Sequence, residues 1–331
     1  MKIEKIGGFA WLAVVLLALS AIYLPGLNNP LIFDDGALTD GRIFGVYGSL
    51  FRGEPRALSY GSFVWVQAVF GDNWAIQRAF NLLIHFGVVL ALWAFYREIL
   101  KSIAPPDDEP SSVAYHQSPA LGLAVGFFAL NPVAVYAVAY LIQRSILMAT
   151  LFVVLGLWQF ARGLQRGSKL SFVAALACYV LAVMSKEHAI MAPLAALPVY
   201  ILVARPSLKK LALIGGAGAV LVGVAAAVLA LRYGEIIGKP FDPFSKIYLT
   251  QLAALGPDVE KNAFLLSILN QAWLFFKYSL HWLVPYTGWM SIDMRPPFPV
   301  SLTAFPQVLG VVGYLAVLAG GFYLIVRYRD W

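Results

Sequence analysis

Charged residues are scarce in this chain, and their scarcity narrows the classes of protein to which it can belong. Of 331 residues, 12% are Asp, Glu, Lys or Arg, roughly half of what a soluble globular protein carries. Cysteine occurs once, at Cys178 within an apolar run, which excludes an internal disulfide and a cysteine-based zinc or redox site. In place of charge the chain has apolar sequence, with 60% hydrophobic residues and a mean hydropathy of +0.76.

Apolar runs recur along the whole chain, and the longer ones can cross the core of a bilayer as helices. We therefore predict an all-α polytopic membrane protein, a single transmembrane domain (residues 1–331) with no soluble domain. The first run is longer than the apolar core of a signal peptide, so we expect an uncleaved first helix. The eight predicted spans are residues 6–25, 75–97, 119–131, 145–162, 170–184, 189–204, 211–231 and 305–326.

Two long regions between predicted spans, 26–73 and 232–304, are predicted to be extracytoplasmic. Within the first we expect a helix over 57–70 that lies at the membrane interface. Residues 132–143 follow Asn131 and predict a short helix begun by proline. The apolar segment 263–284 contains four polar residues that need protein partners inside a membrane, so we expect a re-entrant or interfacial helix. Those four residues are Asn270, Gln271, Lys277 and His281.

The distribution of basic residues predicts the orientation. With a cytoplasmic N-terminus, the inner segments hold 12 of the 24 Lys and Arg residues in far fewer residues than the outer segments, as the positive-inside rule requires. The excess of positive charge, +7 overall, is thus explained by cytoplasmic loops and not by nucleic-acid binding. The inner segments are 1–8, 97–118, 162–169, 205–210 and 327–331.

Asp34 and Asp35 are adjacent carboxylates in the stretch LIFDDGALTDGR, just beyond the first predicted span and on its outer side. One interpretation is that both are solvated loop residues. The other is that apolar neighbours, Phe33 among them, raise the pKa of one carboxylate toward that of a useful general base. The sequence leaves both open.

Three further charged residues, Arg144, Lys186 and Glu187, are predicted on the same face. One interpretation is that Arg144 is an arginine whose charged head extends to the membrane interface, and that Lys186 and Glu187 form an ion pair at a helix end. The alternative is that Arg144 and Lys186 bind a phosphate group whose lipid tail lies in the bilayer.

The remaining candidates also have plain structural explanations. Asn81 and His85 are four residues apart on one helix face and fit a polar packing contact. Asp293 in SIDMRPP fits a loop residue or a partner of Arg295. Together, however, carboxylates, cations and a histidine on one face suit a membrane enzyme with a lipid-phosphate-linked donor. A carboxylate would take the proton of an acceptor hydroxyl, and cations would stabilise the departing phosphate.

Five motifs, in this order, are similar to those of a known family. They are FDD, QRAFNLLIH, ALNPVAVYAVAYLIQRSILMATLF, MSKEHAIMAPL and VPYTGWMSIDM. The chain resembles the membrane part of the polytopic GT-C glycosyltransferases, in the group related to the transmembrane-and-tetratricopeptide O-mannosyltransferases and their bacterial relatives. The likeness covers about residues 30 to 295 and lies in the order and spacing of short motifs.

The resemblance implies a GT-C-like fold in a bacterial inner membrane and transfer of a sugar from a polyprenyl-phosphate carrier on the periplasmic side. The acceptor would be a hydroxyl on a protein such as a pilin or on an envelope glycan. No cofactor is predicted firmly, and a divalent metal stays open. The implied residues are Asp34 and Asp35 as catalytic carboxylates, with Asp34 favoured as base; Arg144 and Lys186 for the donor phosphate; and Arg78, Asn81, His85, Gln143, Glu187, His188 and Asp293 for the pocket.

Departures from the family pattern occur at Asn131, where relatives usually have histidine, at Val135 and Tyr136, and at Ile146. Because of these departures, a second interpretation stays open, in which the chain is a non-catalytic assembly subunit. A transporter or lipid flippase is the other alternative, although the sequence contains no internal repeat of the kind common in transporters.

Overall fold

The computed structural model describes residues 8–48, 53–103, 119–233, 243–290, 294 and 296–327. Within these ranges all regular structure is helical and no β-strand occurs, so the predicted all-α class is confirmed. The chain forms two compact units, Met1–Arg205 and Pro206–Trp331.

The helices of the first unit follow the apolar runs, and short 3-10 turns lie between several of them. The turns are Leu24–Gly26, Phe33–Asp35, Pro132–Ala134, Leu141–Gln143 and Glu187–Met191. The helices are α1 (Gly8–Tyr23), α2 (Gly36–Thr39), α3 (Arg42–Val46), α4 (Ala57–Phe70), α5 (Trp74–Ile103), α6 (Pro119–Ala129), α7 (Val135–Val138), α8 (Arg144–Arg166), α9 (Lys169–Ser185) and α10 (Pro193–Ala204).

The turn between α8 and α9 shows how local sequence sets these boundaries. Gly167 adopts a left-handed conformation with φ 62°, which ends α8 without the steric penalty of a side chain. Ser168 then caps α9, because its side chain accepts a hydrogen bond from the Ser171 amide. The sequence RGSK therefore reverses the chain within two residues, and α9 packs back along α8.

Helices α5 and α8 run parallel, as polar contacts at both of their ends show. Arg144 at the start of α8 bonds to Asn81 near the start of α5, and Gln165 bonds to the Glu98 carbonyl near its end. About 25–30 Å separate the two sets of contacts at the rise of an α-helix, close to the thickness of a bilayer core. We call the end of the first unit that holds Arg144 and Asn81 the Asp34 end, and the end that holds Gln165 the Glu98 end.

The core of the first unit lies where α1, α5 and α6 meet. Leu19, Val89 and Val125, one from each helix, are fully buried there. Gly122 allows the close approach of α6 to α1, because a Cβ at that position would lie 3.0 Å from the Trp11 side chain. A second layer of apolar contacts joins α5 to α8.

In its described residues, the second unit has a long helix, two short helices and a pair of helices packed against each other. In the packed pair Gly310 permits backbone contact, since a Cβ there would lie 2.3 Å from the Trp273 amide nitrogen. Leu252, Val259 and Leu266 form a small buried cluster. The helices are α11 (Leu208–Tyr233), α12 (Pro243–Ala253), α13 (Pro257–Lys261), α14 (Ala263–Leu283) and α15 (Gln307–Arg327), with a 3-10 turn at Thr287–Trp289.

Fewer helices are long and apolar enough to cross a membrane than the eight predicted. Four meet both conditions in the described residues, and a pair bent by 41°, Ala120–Ala129 with Pro132–Val138, would make a fifth. Helices occur at all eight predicted positions, but in the described residues α1 and α9 are shorter than 18 residues, and α11 is not among the four either. Helix α14, expected not to span, is not among the four, which are Trp74–Ser102, Leu141–Arg166, Glu187–Ala204 and Gln307–Arg327.

The predicted continuous helix over 132–143 is wrong. The chain makes a 3-10 turn, then α7, and then breaks at Tyr140, which is extended with ψ 107°. The break leaves the carbonyls of Val138 and Leu141 as acceptors for the Asn81 side-chain amide. A tertiary hydrogen bond therefore takes the place of helical pairing. The helix over 57–70 has the predicted extent.

Candidate functional site

A cavity of about 750 Å³ lies at the Asp34 end of the first unit. Its wall combines carboxylates, cations and tyrosines with a few apolar side chains. Four stretches of the chain form the cavity: the turn and short helices after α1, the start of α4, the turn that precedes α8, and the residue that follows α9. It is lined by Phe33, Asp34, Gly36, Ala37, Asp40, Arg42, Ile43, Val46, Tyr47, Arg56, Tyr60, Ile142, Gln143 and Lys186.

Asp34 lines this cavity and is exposed, as a carboxylate that reacts with an incoming molecule must be. Its amide donates a hydrogen bond of 2.8 Å to the Tyr140 hydroxyl, which fixes the backbone at this position. Burial, together with the nearby Asp34 charge, raises the pKa of Tyr140 to about 12. Phe33, just before Asp34, has φ 49°, a strained value for a bulky residue of the kind that concentrates at functional sites.

Asp35 is fully buried and, unlike Asp34, makes structural hydrogen bonds. Its Oδ1 accepts a hydrogen bond of 2.9 Å from the Ile142 amide, and its Oδ2 accepts a longer one of 3.5 Å from the Ile32 amide. Burial raises the pKa of Asp35, against the opposing effect of these backbone donors and of the Arg78 charge. Asp35 thus ties the Asp34 turn to the turn before α8 and does not line the cavity.

Lys186 is the cation of the predicted pair that reaches the cavity. Its Nζ donates a hydrogen bond of 3.2 Å to Gln143 Oε1, and Gln143 Nε2 donates one of 3.0 Å to the Tyr136 hydroxyl. Burial lowers the pKa of Lys186, and the positive charge of Arg56 lowers it further. The fold therefore brings together Lys186, predicted to bind the donor phosphate, and Gln143, a predicted pocket residue 43 positions earlier.

Arg56 is a cavity residue that the sequence analysis missed. It donates two hydrogen bonds to the Glu187 carboxylate, from Nε at 2.8 Å and from Nη2, and a third of 2.7 Å to the Tyr60 hydroxyl. The backbone of Arg56 is left-handed with φ 60°. Tyr60 also lines the cavity and contacts Tyr47 edge-on at 5.1 Å between ring centroids. The only sequence signal for Arg56 was its place just before a predicted helix.

Arg144 does not reach the cavity, and its predicted contact with a donor phosphate is not supported. The side chain is fully buried. Nε donates to Asn81 Oδ1 at 2.7 Å, Nη1 to Ser62 Oγ at 3.2 Å, and Nη2 to both the carbonyl and the Oε1 of Gln77 at 2.8 and 2.7 Å. Its guanidinium also lies 3.7 Å from the ring centroid of Phe63. With its donors engaged and water excluded, Arg144 joins α4, α5 and α8.

Three other predicted pocket residues are also structural. Asn81 accepts from Arg144 and donates to the carbonyls at the break after α7. His85 is buried, with Nε2 3.2 Å from the Ala129 carbonyl and its ring edge-on to Tyr23. Arg78 donates to the carbonyls of Leu27 and Pro30, and so fastens the first loop to α5. None of the three lines the cavity.

The last three predicted residues have different outcomes. Glu187 contacts the cavity wall through Arg56, although it does not line the cavity itself. His188 is exposed in the turn Glu187–Met191 and does not line the cavity either. Asp293 lies outside the described residues.

A metal site is not favoured by the side chains at this cavity. No group of three or more His, Cys, Asp or Glu residues with metal-binding geometry occurs in the described ranges. Of the two carboxylates that line the cavity, Asp40 forms an ion pair of 2.6 Å with Arg42, whereas Asp34 forms no ion pair with a cation of the described residues. The residues present therefore suit binding of an anion beside a single base better than binding of a divalent cation.

Comparison of the chain with protein-family models, with curated proteins and with solved structures found no match.

Proposed function

We propose that this protein is a GT-C-type glycosyltransferase that moves a sugar from a polyprenyl-phosphate-linked donor to an acceptor hydroxyl. One observation carries the proposal: Asp34 and Lys186, a base and a cation far apart in sequence, line one cavity at the ends of apolar helices. The ordered motifs described above support the same class of enzyme. The acceptor would be a protein such as a pilin or an envelope glycan.

The proposed setting is a bacterial inner membrane, with a cytoplasmic N-terminus and the Asp34 end at the periplasmic side. The density of Lys and Arg in the predicted inner segments supports this orientation. We also propose the GT-C-like arrangement of eight spans, with α1 and α9 as short crossings at which the bilayer is thinner. The parallel course of α5 and α8 over about 25–30 Å supports crossings of bilayer length.

In the proposed reaction Asp34 acts as general base. Its carboxylate accepts the proton of the acceptor hydroxyl while that oxygen attacks the anomeric carbon of the donor sugar. The bond between the anomeric carbon and the phosphate oxygen breaks, and its electron pair leaves with the lipid phosphate. Lys186 stabilises the negative charge that develops on this phosphate.

The other cavity residues orient the two substrates. The volume of about 750 Å³ lies within the range of small-molecule sites, and it accommodates a sugar with its phosphate. Gln143 accepts a hydrogen bond from Lys186, and Glu187 accepts one from Arg56, so both cationic side chains are held in fixed positions at the cavity. Tyr60 supplies an aromatic wall and a hydroxyl that is already engaged by Arg56.

The experiment that tests the proposal is complementation of a deletion strain, read by mass spectrometry of envelope proteins and glycans. Deletion should remove the mass of one sugar from the acceptor, and the wild-type chain should restore it. Asp34→Asn should lower transfer by about 10²- to 10⁴-fold, the usual contribution of a general base.

The matched control is Asp40→Asn, which neutralises the other carboxylate of the cavity and should keep most of the transfer. Full activity of Asp34→Asn would remove Asp34 as the base. An unchanged envelope after deletion would contradict the proposed transferase altogether.

A further inference from the structure

A second polar cavity lies at the opposite end of α5 and α8 from Asp34. Its volume is about 270 Å³. The residues that line it come from the last turns of these two parallel helices. They are Ala94, Arg97, Glu98, Lys101, Trp158, Arg162 and Arg166.

Cations outnumber carboxylates among the described residues that line this cavity. They are four Lys and Arg side chains with one carboxylate, Glu98, which is buried. Lys101 Nζ and Arg166 Nη2 each lie 3.2 Å from a Glu98 oxygen, so a single negative charge is shared by two cations. Because both cations remain about half exposed, at 40% and 49%, they can still contact a second anion.

Arg162 adds an unsatisfied donor to the same cavity. Its Nε is buried and has no hydrogen-bond acceptor among the described residues. The guanidinium lies 5.0 Å from the ring centroid of Trp158, one helical turn earlier on α8, and this ring holds it in place. A planar guanidinium with a spare N–H is suited to two-pronged binding of a phosphate.

The position of the cavity indicates the source of that phosphate. Two candidate spans, Trp74–Ser102 and Leu141–Arg166, both end at it. It lies about 25–30 Å along them from the Arg144 network, where the headgroups of one leaflet would be. Trp158 is of the type enriched at this depth. Basic pockets between the ends of membrane helices are known as sites for anionic lipid headgroups.

We propose that this cavity binds the phosphate of an anionic phospholipid headgroup, with Arg162 and Arg166 as its main contacts and Trp158 beside it. The lipid is separate from the donor at the Asp34 end, and the inference stands whether or not the chain is a glycosyltransferase. Bound lipid would neutralise the excess of positive charge where α5 and α8 meet.

The test uses the full chain purified in mild detergent and mixed with phosphatidylglycerol or phosphatidylcholine, with bound lipid counted by native mass spectrometry. The test variant is Arg162→Gln with Arg166→Gln. The control is Lys209→Gln with Lys210→Gln, which removes the same charge from exposed residues at the start of α11. The test variant should retain about 10- to 30-fold less phosphatidylglycerol, because it loses the two arginines proposed to contact the phosphate directly. The control should match the wild type.

Two outcomes would overturn the proposal. Equal losses in both variants would mean that only overall charge attracts the lipid. The cations of the cavity would then set the membrane orientation and stabilise the C-terminal ends of the helix dipoles. Displacement of phosphatidylglycerol by millimolar inorganic phosphate would mean a site for free phosphate. If the double variant does not assemble, Arg162→Gln alone leaves both ion pairs of Glu98 intact, and it should retain roughly fivefold less lipid.

Discussion

Arg56 and Glu187, 131 positions apart, form a two-pronged ion pair at the edge of the Asp34 cavity. Arg56 precedes α4, whereas Glu187 opens the turn after α9. The pair therefore joins two walls of the cavity that local sequence cannot connect. Lys186, adjacent in the chain to Glu187, is held in the same wall.

Removing this pair should affect transfer more than stability. We expect Arg56→Gln to cost about 1 kcal/mol or less of folding free energy, because both side chains are partly exposed to solvent. Transfer should fall at least about tenfold, because a less ordered cavity needs to raise the activation free energy of transfer by only about 1.4 kcal/mol for that. Thermal unfolding in detergent and sugar transfer in the complemented strain measure the two effects.

A double-mutant cycle of Arg56→Gln with Glu187→Gln tests the pairing itself. The double variant should lose less activity than the two single losses combined, and independent effects would contradict the pairing.

The Asp35 carboxyl should make the fold more stable as the pH falls. Burial raises the pKa of Asp35 above its ordinary value of 3.8 in the folded state, so the native chain binds this proton before the unfolded chain does. Its contribution is therefore full below 3.8 and is lost as the pH rises through the raised pKa. Between pH 7 and pH 4 the unfolding midpoint of the wild type should rise relative to that of Asp35→Asn. A relative fall on acidification would contradict the burial argument.

The charge of Lys186 should set the alkaline limit of activity. Burial and Arg56 lower the pKa of Lys186 from its ordinary value of 10.5, and in the proposed reaction only the protonated amine would bind the phosphate. Transfer should therefore decline with rising pH before pH 10.5 is reached. Lys186→Arg keeps the positive charge at any accessible pH and should remove this decline, whereas Lys186→Gln should be weak at every pH. The same alkaline decline in Lys186→Arg would assign it to another group.

Arg144 should prove essential for folding in a way that a surface arginine is not. Replacement by lysine keeps the charge but loses most of the bonds to Asn81, Ser62 and Gln77, and we expect a loss of roughly 2 kcal/mol or more. Arg166→Lys, at the half-exposed opposite end of α8, should change stability by less than about 0.5 kcal/mol. Thermal unfolding of both variants decides between this role and the predicted phosphate contact, which would leave the stability of Arg144→Lys unchanged.

The helices were predictable because the information for them is local. Long apolar runs, the cap at Ser168 and the left-handed Gly167 lie within a few residues of the boundaries they set. The break at Tyr140 was not predictable, because Asn81 on another helix takes the carbonyls that a continuous helix would pair. The number of crossings stays a prediction, because only four helices of the described residues, or five with the bent pair, are long and apolar enough, and α1 and α9 are shorter.

What the sequence by itself determined is the class of the chain, the places of its helices and the acidic pair after the first of them. Tertiary structure decided which of the equivalent polar residues belong to the cavity. Asp34 and Asp35 are neighbours of identical chemistry, yet one is exposed in the cavity and the other is buried under the Ile142 amide. Arg144 was excluded and Arg56 was added for the same physical reason: the burial and partners of a polar side chain depend on which helices pack around it.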